Sequence, residues 1–224
     1  MRWSKRLFDI FWSFIGLILL LPLFIIVAFL IKIEDGGPVF FRQERIGLNG
    51  KKFKIWKFRT MVVDAERKGK QITVYNDPRI TKIGRFLRKY KIDELPQLIN
   101  VLKGDMSLVG PRPEVEKYVK LYDEDQKKVL NFVPGITDPA SLAFRNENEL
   151  LSLAEDPEQF YIKEIMPMKI MMNLDYLQKA SLWFDFIIIV KTIFAPIVDK
   201  LDKSLINNQH AKNNNNKKAN YFNI

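Results

Sequence analysis

From Ile10 to Ile31 the chain runs for 22 residues without a charged side chain, and Pro22 stands near the middle of the run. No other segment limits the fold as strongly. As one straight helix the run reaches about 33 Å, enough for the hydrocarbon core of a bilayer. Pro22 removes a backbone donor and crowds the preceding turn, so a bend is expected near Leu19–Pro22. Both flanks are basic. Arg2, Lys5 and Arg6 precede the run, Lys32 closes it, and Arg42, Arg45, Lys51, Lys52, Lys54, Lys57 and Arg59 follow. Lys- and Arg-rich flanks stay on the cytoplasmic side of a membrane. A kinked transmembrane helix places one flank there; a helix–break–helix entering and leaving one leaflet places both. The charge pattern therefore favours a re-entrant hairpin over residues 1–35, with Pro22 as the break. Such a break needs its freed carbonyls satisfied by protein or water, and Ser13 is the one hydroxyl residue within the run. A secretory signal fits poorly, because the run is long and no small-x-small cleavage site follows.

The remaining residues suffice for one domain with a core, expected over 36–199. The 224 residues carry 36 basic and 26 acidic side chains, a net charge of +10 that suits an anionic partner. There is no cysteine, and the one histidine, His210, lies in an Asn- and Lys-rich tail over 200–224 that reads as disordered. Thiolate chemistry and a histidine base are excluded. Catalysis must rest on carboxylates, lysine, arginine or hydroxyls.

Local patterns make the fold mainly α with a small β-hairpin. Val39–Phe41 and Phe53–Phe58 are strand-like, with Asn49-Gly50 as a tight turn between them. Asp64–Thr73 reads as a polar loop. A basic amphipathic helix is expected from about Asp77-Pro78, with Ile80, Ile83, Leu87 and Tyr90 at helical spacing. Asp123–Val129 and Glu147–Glu164 read as charged helical stretches. Ser181–Val198, apolar with aromatics and ended by Pro196, suits an interfacial or core helix. The amphipathic helices would seat a compact cytoplasmic catalytic domain on the bilayer.

Chemistry concentrates in Lys91–Asp105. Leu95, Leu98, Ile99 and Leu102 give an apolar helical face, Pro96 is tolerated in a first turn, and Gly104 fits just past the end. Asp93 and Glu94 then lie at a helix start, where the dipole favours anions. An acidic pair there is ordinarily a cap. Here it is surrounded by basic residues, and Gly110-Pro111-Arg112-Pro113 follows, a rigid frame that aims the arginine fork. A carboxylate pair, clustered arginines and a membrane segment fit phosphoryl transfer to or from a lipid. Glu94 is a candidate ligand for a divalent cation, and Mg²⁺ suits oxygen donors and diphosphate. The charge alone also fits a membrane-tethered nucleic-acid-binding or scaffold protein, although no nucleic-acid motif is present.

The run from Asp93 to Pro113, together with Lys54–Met61 and Val133-Pro134-Gly135-Ile136-Thr137, resembles the signature of the bacterial sugar transferases, the monotopic polyprenyl-phosphate phosphoglycosyl transferases. The resemblance extends from about Lys5 to Val198. It implies transfer of a sugar-1-phosphate from a UDP-sugar to undecaprenyl phosphate, with release of UMP, at the cytoplasmic leaflet of a bacterial inner membrane. Nucleic acid is not an expected partner. Carried over, Asp93 is the nucleophile that becomes a covalent phosphosugar adduct, Glu94 holds Mg²⁺, and Arg88, Arg112, Lys57 and Arg59 neutralise phosphate oxygens. Two stretches depart from the family pattern: Asp138–Glu147 replaces the usual Gly-Trp-Ala-Gln-Val-x-Gly-Arg, and Asn173-Leu174-Asp175-Tyr176 replaces Asp-x-Tyr-Tyr. Arg145 is the candidate substitute for the family's arginine, and the departures leave the sugar open.

Overall fold

The computed structural model describes residues 3–65 and 77–196. Helix α1, Trp3–Asp35, continues through Pro22 without interruption, so the expected division into two helices is not found. A proline costs a helix one backbone hydrogen bond and some straightness, and neither loss requires a non-helical residue. What holds α1 is its phase. Asp9, Ser13, Val27 and Ile31 are its buried residues, and at 100° per residue they fall on one face, with Gly16 and Glu34 beside them. Leu7, Phe11, Phe14, Ile18, Leu21, Ile25 and Phe29 occupy the opposite face, and all are exposed. The helix thus lies lengthwise on the rest of the molecule, with an apolar face left outward.

Both ends of α1 are fastened to the same body. Near its start, Arg6 donates to the carbonyl oxygens of Val101 and, at 2.9 Å, Leu102. Asp9 accepts from the Ser107 hydroxyl at 2.8 Å and the Leu108 amide at 3.2 Å. Towards its end, Val27 and Ile31 pack with Phe58 and Leu87, each such side chain stabilising the packing by about 1.5–3 kcal/mol. Glu34 accepts from the Lys82 amide at 2.7 Å.

The hairpin forms as expected and is longer than expected. Strands β1, Phe40–Ile46, and β2, Lys52–Phe58, pair antiparallel from Phe40 with Phe58 to Ile46 with Lys52. Asn49 and Gly50 both take positive φ in the turn. Helix α2, Lys82–Lys89, begins later than the pattern at Asp77-Pro78 implies. Arg79 closes a turn on Asp77, Ile80 bridges to Met61, and the Thr81 hydroxyl caps α2 by accepting from the Gly84 amide at 2.9 Å. A Cβ at Gly84 would meet the Thr60 carbonyl oxygen at 2.1 Å, so glycine lets α2 press onto the end of the hairpin.

A 3₁₀ turn, Ile92–Gln97, leads into α3, Leu98–Lys103, which ends at Gly104. Two sequence motifs then meet. Strand β3, Ser107–Val109, lies parallel to β4, Gly135–Thr137, with Ser107 opposite Gly135 and Val109 opposite Thr137. A Cβ on Gly135 would sit 2.1 Å from the Gly110 amide nitrogen, which only glycine allows.

The remaining body is helical: α4, Glu116–Val119; α5, Glu124–Lys127; α6, Pro139–Ala143; α7, Glu147–Ser152; α8, Pro157–Phe160; and α9, Met166–Lys179. The charged stretch at 123–129 is thus α5, opened by a capping box on Asp123. The acidic stretch from Glu147 is two short helices and a π turn, Tyr161–Ile165, rather than one excursion. Residues 182–196 form a further helix. Most of the expected polar loop, and all of the expected tail over 200–224, lie outside the described residues.

Candidate active site

The 3₁₀ turn carrying Asp93 and Glu94 follows Lys91, whose φ of 57° reverses the chain after α2. This reversal turns both carboxylates into a cavity of about 960 Å³ between the hairpin, α2, the Pro-Arg-Pro segment and the 141–148 region. Ten basic and six acidic side chains line it, a balance that favours an anionic ligand.

Glu94 is fully engaged. It accepts from the Lys57 ammonium at 2.8 Å and from both arms of the Arg112 fork, one at 3.1 Å. Burial opposes its charge, but Arg112 and then Lys57 overcome this and hold its carboxyl well below the usual range. Glu94 in turn raises the Arg112 pKa. Asp93 differs. It is 7% exposed, and its Oδ1 has no hydrogen-bond partner. Burial, and then the adjacent Glu94 carboxylate, push its pKa up, while Lys57 and Arg88 pull it down. Arg88 donates through Nε to the Thr60 hydroxyl at 2.8 Å. Burial lowers the pKa of both Arg88 and Lys57, so each gains when an anion enters and offsets its lost hydration.

Lys57, Arg88, Asp93, Glu94, Arg112 and Arg145 all line this one cavity. Arg59 does not join them. β2 ends at Phe58, and Arg59 turns instead to the Asp35 carboxylate, which takes both arms of its fork. It also donates to the Pro38 carbonyl at 2.6 Å. Arg59 therefore clamps the end of α1 to the hairpin, apart from the other candidate phosphate-binding side chains. The nearest carboxylate, not strand alternation, decides its direction.

Several cavity groups are not singled out by the sequence. Thr60 and Arg79 enter through the close approach of α2. In the divergent stretch, Asp138 accepts from the Ser141 amide at 2.8 Å and its hydroxyl at 2.6 Å, starting α6. That helix, the turn after it and α7 carry Ser141, Arg145 and Glu147 to the cavity wall, where Glu147 pairs with Lys169 at 2.7 Å. The second departure is structural: Tyr176 donates to Asp185, which also binds Lys5. The opposite charges of Lys5 and Asp185 are the one signal for that pairing, and 180 residues separate the partners.

No group of three or more potential metal-ligating acids or histidines occurs among the described residues. The donor chemistry nevertheless fits Mg²⁺, which characteristically takes one or two carboxylates and completes its shell from substrate phosphates and water. Glu94 offers such a carboxylate, now held by cations, beside the unpaired buried oxygen of Asp93.

An apolar helix is thus laid along a body whose cavity is basic and centred on two carboxylates. The chain matches the family model for bacterial sugar transferases over residues 1–199, and it belongs to that family. It is similar to the UDP-glucose:undecaprenyl-phosphate glucose-1-phosphate transferase of Escherichia coli strain K12, 39% identical over 203 residues, covering 89% of this chain and 41% of that protein. The galactosyl transferase CpsE of Streptococcus agalactiae serotype III strain NEM316 is 41% identical over 206 residues, covering 85% and 41%. The exopolysaccharide production protein ExoY of Sinorhizobium fredii strain NBRC 101917 / NGR234 is 38% identical over 205 residues, covering 85% and 84%. The chain thus spans about two fifths of the first two relatives and most of the third.

Proposed function

We propose that this chain transfers a sugar-1-phosphate from a UDP-sugar to undecaprenyl phosphate, through a covalent intermediate on Asp93. The observation that carries the reading is the unpaired, buried Asp93 Oδ1, set beside a fully paired Glu94 in a basic cavity. Asp93 attacks the sugar-bearing phosphorus. The bond from that phosphorus to the bridging oxygen breaks, and UMP leaves with the electron pair. The lipid phosphate then attacks the same phosphorus and returns Asp93 as a free carboxylate. Arg88, Lys57 and Arg112 neutralise the phosphate oxygens as charge shifts between them, and Arg145 lies in the same wall. Glu94 holds the Arg112 fork and the Lys57 ammonium in place. Glu94 would hold Mg²⁺, whose charge would offset that of the donor diphosphate, with substrate phosphates and water completing its shell.

The membrane reading rests on α1. It is the one helix among the described residues long and apolar enough to cross a bilayer, yet both of its ends bind the same body. A helix so held does not carry its two ends to opposite sides. We infer that it is monotopic, dipping into the cytoplasmic leaflet of a bacterial inner membrane with the catalytic body on the cytoplasmic side. No observation favours the nucleic-acid or scaffold alternative, because the cavity's cations converge on two carboxylates.

The test is a panel of UDP-sugars, beginning with UDP-glucose and UDP-galactose, assayed for UMP release with undecaprenyl phosphate present. Release from one of them supports the reading; no release from any UDP-sugar with Mg²⁺ supplied overturns it. For topology, single cysteines at Ser4 and Gly36 should label from the same side of sealed vesicles with an impermeant reagent. Labelling from opposite sides contradicts the monotopic arrangement.

A further inference from the structure

The helix at 182–196 reaches the active-site cavity, which its role as an interfacial or core helix does not explain. Thr192, Ile193 and Pro196 all line the cavity that holds Asp93 and Glu94. The helix is fixed from within. Ile188 is buried, Asp185 binds Tyr176 and Lys5, and Thr192 shares a 2.7 Å hydrogen bond with Thr137 at the end of β4. These three side chains define the inward face. A second line, Leu182, Phe186, Ile189, Ile193 and Pro196, falls within about 80° at 100° per residue and runs alongside it. Three of its members are open: Leu182 is 40%, Phe186 42% and Ile193 64% exposed. Its 14-residue advance measures about 21 Å and ends at the cavity rim.

We propose that this line is the track for the polyprenyl tail of the acceptor, and this rests on the function proposed above. The acceptor is an amphiphile with an anionic head and a long apolar tail. The cavity supplies cations for the head, and the line beginning at Ile193 continues from that cavity as exposed apolar surface. A tail lying there removes apolar area from the polar margin of the bilayer and fixes the direction from which the phosphate enters. The occupant is the acceptor, not bulk lipid, because the line opens into the catalytic cavity rather than ending on the surface.

The test compares two acceptors with the full chain in one detergent: undecaprenyl phosphate and dimethylallyl phosphate, whose tail is a single isoprene unit, too short to follow the line. The variants are Phe186→Ala and Leu182→Ala, both at exposed positions. Phe194→Ala, 53% exposed and about 120° from the centre of the line around the same helix, is the comparison. In the unaltered chain kcat/KM favours the long acceptor. Phe186→Ala should lower that preference by about tenfold, because only the long tail reaches the Phe186 ring and buries it. Leu182→Ala should lower it less, and Phe194→Ala should leave it unchanged. Equal loss with both acceptors, no loss with either, or the same shift from Phe194→Ala overturns the proposal. UMP release from the donor by the unaltered chain tests the site reading separately.

Discussion

Two buried clusters of charge meet the same physics with opposite outcomes. In the anchor, Asp9 is fully buried and Asp185 nearly so, and each carboxylate has both oxygens bonded: Asp9 by Ser107 and Leu108, Asp185 by Lys5 and Tyr176. In the cavity, Glu94 is saturated by Lys57 and Arg112, while its neighbour Asp93 keeps one oxygen without a partner. Burying a carboxylate is costly unless hydrogen bonds and countercharge offset the lost hydration. The anchor gives every carboxylate oxygen a partner, as a structural element must, although burial still outweighs those partners at Asp9 and pushes its pKa up. The cavity leaves one oxygen without a partner, and that atom is where a nucleophile is needed.

The largest test of this contrast is Asp93→Asn. UMP release should fall by about 10⁴-fold, as when a nucleophile is removed. The melting temperature should stay the same or rise. Because the Asp93 pKa is raised in the fold, its ionised form is held less favourably than in the unfolded chain, and a neutral isostere removes that cost. A marked loss of stability would place Asp93 with the anchor.

Arg112→Ala should act through its partner. It leaves Glu94 buried with Lys57 as its remaining partner, and losing charge-assisted hydrogen bonds of this kind costs about 1.5–3 kcal/mol. Thermal unfolding should show the loss, along with weakened donor turnover. Arg112→Lys should recover stability better than turnover, because lysine restores the charge but not the fork. Asp9→Ala should cost about 1–3 kcal/mol for the Leu108 amide it leaves unpaired, since the Ser107 hydroxyl keeps the Val109 carbonyl as an acceptor. Its activity loss should track the unfolded fraction, since Asp9 holds β3 and touches no cavity group.

The smallest effect separates the two carboxylates by pH. Asp93, with its raised pKa, loses its nucleophilic form as pH falls through that raised value. UMP release should therefore decline above the range of an ordinary aspartate, about pH 4. Glu94 has a depressed pKa, so its stabilising contribution is complete above the usual glutamate value and disappears only as pH falls through the depressed one. Activity should thus be lost at a higher pH than the stability that Glu94 supplies. The reverse order would contradict the assignment.

Much of this is legible in the chain. The Asn49-Gly50 turn, the Gly104 helix stop, and the Asp93-Glu94 and Pro-Arg-Pro motifs are local signals, and the structure keeps each of them. What cannot be read comes from partners distant in sequence. Arg59 follows Lys57 by two residues and looks equivalent, but Asp35 captures it at the end of α1. Pro22 predicts an interruption as long as charge and a helix breaker alone decide. The phase of Asp9, Ser13, Val27 and Ile31, which binds the helix along its length, decides otherwise. The divergent 138–147 stretch reads as a departure from the family, yet it builds a cavity wall by a cap at Asp138.

The central claim is that the unpaired Asp93 oxygen is the nucleophile. Incubating the chain with the UDP-sugar it accepts, with no lipid phosphate present, should release one equivalent of UMP. The peptide containing Asp93 should gain the mass of the phosphosugar, and undecaprenyl phosphate should then discharge it. Release of UMP only when the lipid phosphate is present, with no adduct on Asp93, would contradict the account.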